Sequence, residues 1–185
     1  IVRQTKNAQP NGVVFFGDSI TEMYDLEKHF PHMNPIYNCG IGGATSNELL
    51  WMVDEAVIKY HPKVVVMMIG INDLGNTVML SPKDIAVNVK NIIDLIRGNC
   101  PDTQIILMST LPCIEALRDY HHVPGIRCND LVEMIYQQYQ EVICDSKTTL
   151  LWTFDDFVDE NKEAKVKYYQ DGLHLNEEGY KHLTQ

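Results

Sequence analysis

The sequence lacks several features that would place it in a particular class of protein. No apolar run approaches the roughly 20 residues that span a bilayer, so we expect no membrane insertion. Lysine and arginine number 15 against 25 acidic residues, and the net charge of −10 argues against nucleic acid as a partner. The sequence also contains no repeat, low-complexity tract or linker. We therefore predict a single domain over residues 1–185.

Paired cysteines are missing as well. The five cysteines are scattered and odd in number, without a Cys-x-x-Cys pair, which favours reduced thiols and a cytoplasmic location over a disulfide framework. The sequence begins at Ile1 rather than at a methionine, which is also compatible with a signal peptide that has been removed. A homodimer is one assembly that the sequence allows.

Nucleotide-binding motifs are incomplete. Gly40-Ile41-Gly42-Gly43 begins like G-x-G-x-x-G, but Thr45 stands where the third glycine is needed, and no Gly-Lys-Ser or Gly-Lys-Thr occurs. We predict no cofactor. These glycines form a tight turn in our interpretation, and such a turn can bring backbone N–H groups close to an oxyanion.

Short apolar segments alternate with amphipathic ones along the chain. Strands are predicted at 13–16, 36–38, 64–69, 105–108 and 150–152, and residues 1–11 are predicted to be a tail. Helices are predicted from about 45, 82, 126 and 176 onward. This order predicts an α/β fold, namely a three-layer α/β/α sandwich with a five-stranded parallel sheet. Functional groups are then expected beyond the carboxyl ends of the strands.

Ser19 follows the first buried strand directly. Val13-Val14-Phe15-Phe16 is unbroken by polar residues, and Gly17-Asp18-Ser19 then reads as a strand-to-helix turn. A serine at such a turn is raised above the sheet next to backbone N–H groups that stabilise an anion. Ser19 is therefore a candidate nucleophile, and the alternative is that it only caps a helix.

Two other loops carry candidate residues. Asn72 follows the third strand, where its amide can donate to developing negative charge or merely form a turn, and Asp73 is expected to hold that loop. Asp171 and His174 are one turn apart, so the carboxylate can orient the imidazole. We expect no metal there because no third ligand has matching spacing. His121-His122 is a weaker metal candidate, since exposed loop histidines are common.

Together these motifs resemble the GDSL/SGNH hydrolases over nearly the whole chain. The blocks are Gly17-Asp18-Ser19-Ile20, Asn38-Cys39-Gly40-Ile41-Gly42-Gly43, Gly70-Ile71-Asn72-Asp73 and Asp171-Gly172-Leu173-His174. Isoleucine stands where the family name has leucine. The second block is similar to that of bacterial esterases resembling the platelet-activating-factor acetylhydrolase subunits.

The resemblance implies a role for each motif residue. Ser19 would be the nucleophile, His174 the base and then acid, and Asp171 the residue that orients it. The oxyanion hole would be the N–H groups of Ser19 and Gly43 with the side-chain amide of Asn72. The resemblance also implies a flavodoxin-like sheet of order 2-1-3-4-5.

We therefore expect a serine esterase acting on a small ester, with short acyl groups, acetyl especially, as substrates. Two alternatives stay open: an acyltransferase with the same nucleophile, and a non-catalytic binding module of the same fold. The apolar residues of two loops are expected to rim the pocket or pack onto the body: Leu74, Val78, Met79, Ile114 and Leu117.

Overall fold

The computed structural model describes residues 2–75, 79–117 and 127–185. Five strands form the centre of the molecule: β1 (Val13–Gly17), β2 (Ile36–Gly40), β3 (Val64–Met68), β4 (Gln104–Met108) and β5 (Thr148–Leu151). All neighbouring strands are parallel, and their order is β2-β1-β3-β4-β5. The predicted fold class and the order 2-1-3-4-5 are both confirmed.

Helices cover both faces of this sheet. They are α1 (Val2–Thr5), α2 (Ser19–Glu22), α3 (Leu26–His29), α4 (Ser46–Ala56), α5 (Ile71–Gly75), α6 (Pro82–Asn99), α7 (Asn129–Val142) and α8 (Glu177–Leu183). Short 3-10 turns lie at Ile58–Tyr60, Glu115–Leu117, Phe154–Phe157 and Val166–Tyr168. The predicted tail contains α1, and Trp152 lies just beyond β5 rather than inside it.

Alternate strand residues divide the core into two layers. Phe16 and Met67 face the larger layer, which also contains buried side chains of α4, α6 and α7. Phe15 and Met68 face the smaller layer, together with Tyr180 of α8. A strand that is apolar on both faces is therefore buried on both faces, as the unbroken runs in the sequence predict.

Helix starts follow the capping residues. Thr45 accepts a hydrogen bond from the Glu48 N–H while the Glu48 side chain accepts one from the Thr45 N–H, which is a complete capping box for α4. Ser81 caps α6, with Pro82 as its first residue. Asn176 caps α8 by accepting from the Gly179 N–H. These capping residues determine the position at which each of the three helices begins.

Candidate active site

The strand register brings three loops to one edge of the sheet. Gly17 of β1 lies opposite Gly40 of β2 on one side and Met68 of β3 on the other. Because these strands are parallel and end level with each other, the residues that follow them emerge side by side. These are the loops that carry Ser19, Gly43 and Asn72.

Ser19 is the first residue of α2 and is almost buried, at 9% exposure. Asp18, not Ser19, caps the helix: its Oδ1 accepts from the Ile20 N–H at 2.9 Å. The interpretation of Ser19 as a helix cap is therefore wrong, and its hydroxyl is available for another partner. Gly17 permits the tight turn, since a Cβ there would lie 2.4 Å from both the Met68 carbonyl oxygen and Thr21 Oγ1.

Strand β2 fastens the serine helix from the side. A Cβ at Gly40 would lie 2.1 Å from the Glu22 nitrogen, so only glycine lets α2 pack this closely. Asn38 Nδ2 donates to the carbonyl oxygens of Thr21 and Tyr24 at 2.8 and 3.0 Å. The second motif thus also holds the end of α2, a role that the sequence did not reveal.

Asp171 and His174 lie in one hairpin-like loop before α8. His174 Nδ1 and Asp171 Oδ2 are 2.6 Å apart, and Asp171 Oδ1 accepts from the N–H groups of Leu173 and His174 at 3.0 and 2.8 Å. Partial burial raises the pKa of the Asp171 carboxyl, but these hydrogen bonds, that of the His174 side chain first, outweigh it and lower the pKa to about 2. Asp171 is therefore ionised at neutral pH.

The two ends of the chain meet at this loop. His174 Nε2 is 2.9 Å from Ser19 Oγ, across 155 residues of sequence. One hydrogen-bonded series therefore runs from the hydroxyl through the imidazole to the carboxylate. In that arrangement the imidazole nitrogen facing Ser19 can accept the hydroxyl proton when the other nitrogen carries its hydrogen toward Asp171.

Asn72 lies in α5 directly after β3 and is 4% exposed. Its Nδ2 donates to the Ala44 carbonyl oxygen at 3.1 Å, and its Oδ1 accepts from Arg127 Nη2 at 2.9 Å. The side chain is thus held between the loop after β2 and Arg127, which lies two residues before α7. One of the two Nδ2 hydrogens remains for a further acceptor.

Asp73 holds the same two loops together, as expected for a structural residue. Its carboxylate accepts from the Ser46 N–H and from Ser46 Oγ, the latter at 2.6 Å. Burial raises the pKa of the Asp73 carboxyl, while the hydrogen bonds from Ser46 oppose that rise. Since Ser46 begins α4, this contact fixes the start of that helix against α5.

Gly43 has a backbone conformation that favours glycine, with a φ of +74°. A Cβ there would meet no atom within 4 Å, so it is the conformation and not crowding that selects glycine. Within the described residues, the N–H groups of Gly43 and Ser19 make no hydrogen bond. Both can therefore donate to an acceptor above the serine.

The sequence also suggested metal-binding histidines and apolar residues at the rim of a pocket. The described residues contain no group of histidine, cysteine and acidic side chains that could hold a metal ion, and none of the described helices is long and apolar enough to cross a membrane. His121, His122 and Val78 lie outside the described residues. Leu74 is 2% exposed and belongs to the core, whereas Met79 and Leu117 are exposed, and Leu117 lies next to Gly172 in the loop of Asp171 and His174.

A hydroxyl, an imidazole and a carboxylate thus lie in hydrogen-bonded series at one edge of a flavodoxin-like sheet, and these are the groups that serine hydrolases use. The model of the GDSL-like lipase/acylhydrolase family matches residues 15–182. The chain therefore belongs to that family, and the predicted family is confirmed.

Curated relatives are similar over different lengths. The chain is 27% identical to the human platelet-activating factor acetylhydrolase IB subunit alpha2 over 185 residues, covering 97% of this chain and 75% of that protein. It is 29% identical to the bovine subunit alpha1 over 115 residues, covering 60% of this chain and 47% of that protein. The chain thus spans about half the length of the alpha1 relatives it matches.

Solved structures extend the similarity over the whole fold. A protein from Streptococcus pneumonia has a TM-score of 0.86 at 31% identity, covering 96% of this chain and 82% of that one. A GDSL-like lipase from Bacteroides thetaiotaomicron has a TM-score of 0.81 at 26% identity, covering 98% and 90%. The site loops described above lie inside residues 15–182, which the family model matches.

Proposed function

We propose that this protein hydrolyses carboxylic esters with short acyl groups, acetyl in particular, through an acyl-enzyme on Ser19. The observation that carries the proposal is the series from Ser19 Oγ to His174 Nε2 and from His174 Nδ1 to Asp171 Oδ2. A neutral serine hydroxyl is a weak nucleophile, so a base within hydrogen-bonding distance is what activates it.

In the first half-reaction, Ser19 Oγ bonds to the ester carbonyl carbon as its proton passes to His174 Nε2. Negative charge then develops on the former carbonyl oxygen. The N–H groups of Ser19 and Gly43 and the free Nδ2 hydrogen of Asn72 supply donors for that charge. When the carbon–oxygen bond of the ester breaks, His174 returns the proton to the departing alcohol.

In the second half-reaction, water takes the place of the alcohol. His174 accepts a proton from the water as its oxygen attacks the acyl carbon, and the acid leaves when Ser19 Oγ recovers its proton. Asp171 keeps its charge throughout and stabilises the imidazolium that forms twice in each cycle. Its low pKa suits this role, because it stays ionised over the whole neutral range.

The acyl preference has separate support. The two curated relatives described above are acetylhydrolase subunits by name. Among the described residues, Ile114 and Leu117 lie next to Gly172 in the loop of Asp171 and His174, and the exposed Met23 contacts Gln170. They offer limited contact to a long acyl chain. The alcohol half stays unassigned.

Hydrolysis of para-nitrophenyl esters tests the proposal. We expect turnover of the acetate that falls as the acyl chain lengthens, and a loss of at least about 10⁴-fold in kcat for Ser19→Ala with an unchanged unfolding midpoint. Equal turnover by wild type and Ser19→Ala would contradict the role of Ser19, and hydrolysis no faster than in buffer by either protein would favour a binding module. Added alcohols that collect the acyl group faster than water would assign a transferase.

Cytoplasmic location and a homodimer remain predictions. Light scattering on the purified protein measures the assembly, and a mass of 21.2 kDa would exclude the dimer.

A further inference from the structure

Arg127 contacts the candidate oxyanion donor directly. Its Nη2 donates to Asn72 Oδ1 at 2.9 Å, and its Nε donates to the Ile71 carbonyl oxygen at 3.2 Å. One planar group therefore holds the side chain of Asn72 and the main chain of the residue before it. Two parallel donors on a rigid fork fix orientation better than a single flexible ammonium group does.

Contacts on two sides of Arg127 determine where its guanidinium lies. Asn129 Nδ2 donates to the Cys113 carbonyl oxygen at 3.1 Å, and Asn129 Oδ1 accepts from the Cys113 N–H at 2.9 Å. The start of α7 is thereby tied to the segment after β4. On the other side, a Cβ at Gly75 would lie 2.2 Å from Arg127 Nε, so the guanidinium occupies space that only glycine leaves.

The contact decides which way the Asn72 amide points. When Asn72 Oδ1 accepts from Arg127, Nδ2 faces the Ala44 carbonyl oxygen at 3.1 Å. In the flipped amide, the NH₂ group would face the guanidinium donors and Oδ1 would face the Ala44 carbonyl oxygen, so neither hydrogen bond could form. The positive charge also polarises the amide, which makes its remaining N–H a stronger donor. Neither effect requires Arg127 to touch the substrate.

We propose that Arg127 is a positioning residue for the oxyanion hole, acting through Asn72. The inference rests on the proposed esterase function and adds a residue to it. Misplacing a transition-state contact by about 1 Å lowers rates by up to about 10²-fold. Loss of Arg127 is therefore expected to lower kcat by about 10- to 100-fold and to change KM little, because the charge that it helps to stabilise develops after binding.

Two variants remove the contact by different means. Arg127→Met keeps an unbranched side chain of similar reach and removes every donor. Gly75→Ala keeps the arginine but displaces its guanidinium, which is the mobile end of a flexible side chain. The matched control is Arg97→Met, which removes another partly buried arginine that donates to carbonyl oxygens and to Asp145. We expect the control to leave kcat unchanged.

A double-mutant cycle separates positioning from general destabilisation. In the Asn72→Ala background, Arg127→Met and Gly75→Ala should each lower kcat by less than about 3-fold, since the group they act through is gone. If each substitution lowers kcat in the Asn72→Ala background by the same factor as in wild type, the proposal is overturned. An Arg127→Met variant with wild-type kcat would overturn it as well.

A readout independent of turnover keeps the two proposals distinguishable. The side-chain NH₂ resonances of Asn72, assigned by their disappearance in Asn72→Ala, should move in Arg127→Met and Gly75→Ala and stay in place in Arg97→Met. Unmoved resonances would overturn the positioning role whatever the activity. Hydrolysis that does not depend on Ser19 would contradict the proposed function instead and leave this spectroscopic test intact.

Discussion

The serine and the histidine of the site are held in opposite ways. The serine arm, residues 17–21, runs from the end of a central strand into a helix, and its side chains from Asp18 to Thr21 are all buried. The histidine arm, residues 170–175, contains no helix or strand, and the Asp171 side chain is 47% exposed. Its ends are closed by a bridge between Tyr169 and Leu175 and by the Gln170 N–H donating to the His174 carbonyl oxygen.

The difference shows in two aspartates. Burial raises the pKa of Asp18 to about 6, and the hydrogen bond from Ile20 and the nearby His174 only partly oppose that rise. For Asp171, hydrogen bonds outweigh burial and the pKa falls to about 2. The serine arm is thus positioned by packing at an electrostatic cost, whereas the histidine arm is positioned by hydrogen bonds to a charge.

Removing the base tests the histidine arm most severely. We expect His174→Ala to lower kcat for para-nitrophenyl acetate by about 10⁶-fold, and Asp171→Ala by about 10⁴-fold, because the second change removes orientation and leaves the base. Steady-state kinetics with matched unfolding curves measure both. An Asp171→Ala loss as large as that of His174→Ala would mean that the exposed loop collapses without its carboxylate.

Removing a donor tests the packed side of the site. Asn72→Ala should lower kcat by about 10²- to 10³-fold, since one of the proposed oxyanion donors is lost while nucleophile and base remain. Asn72→Asp should be at least as slow, because a carboxylate cannot donate and adds negative charge beside the oxyanion. A rate equal to that of wild type in Asn72→Ala would remove this residue from the oxyanion hole.

The sequence predicted the parts of the fold that are locally encoded. The buried strands followed from unbroken apolar runs, and α4, α6 and α8 begin where Thr45, Ser81 and Asn176 predicted. The short helix α5 was not predicted, because five residues beginning with Ile71 carry too little periodicity to distinguish a helix from a turn. Asp18 rather than Ser19 proved to be the cap, since both residue types suit that position.

Part of the site depended on contacts that no local pattern contains. Ser19 and His174 could be paired only through their motifs, since 155 residues separate them. Arg127 lies 55 residues from Asn72 and stands in no motif, so nothing in the sequence pointed to their contact. Asn38 was read as part of a motif, but its bonds to α2 follow from the register of β1 and β2. Such contacts become visible only when the sheet has been assembled.

The smallest expected effect concerns the stability of the serine arm. Asp18 is fully buried, its Oδ2 has no hydrogen-bond partner among the described residues, and its pKa of about 6 lies above the ordinary value of 3.8. The folded state therefore holds this proton more tightly than the unfolded state does. The stability that the proton contributes is complete below pH 4 and is lost as the pH rises to about 6.

Asp18→Asn should remove that dependence while keeping the cap, because its Oδ1 can still accept from the Ile20 N–H. The difference in the free energy of unfolding between variant and wild type should shift in favour of the variant by about 2 kcal/mol between pH 4 and pH 7. Urea unfolding followed by tryptophan fluorescence measures it, and other titrating groups cancel in the difference. A difference that stays constant with pH would show that Asp18 is charged in the folded protein already at pH 4, and the contrast between the two arms would then disappear.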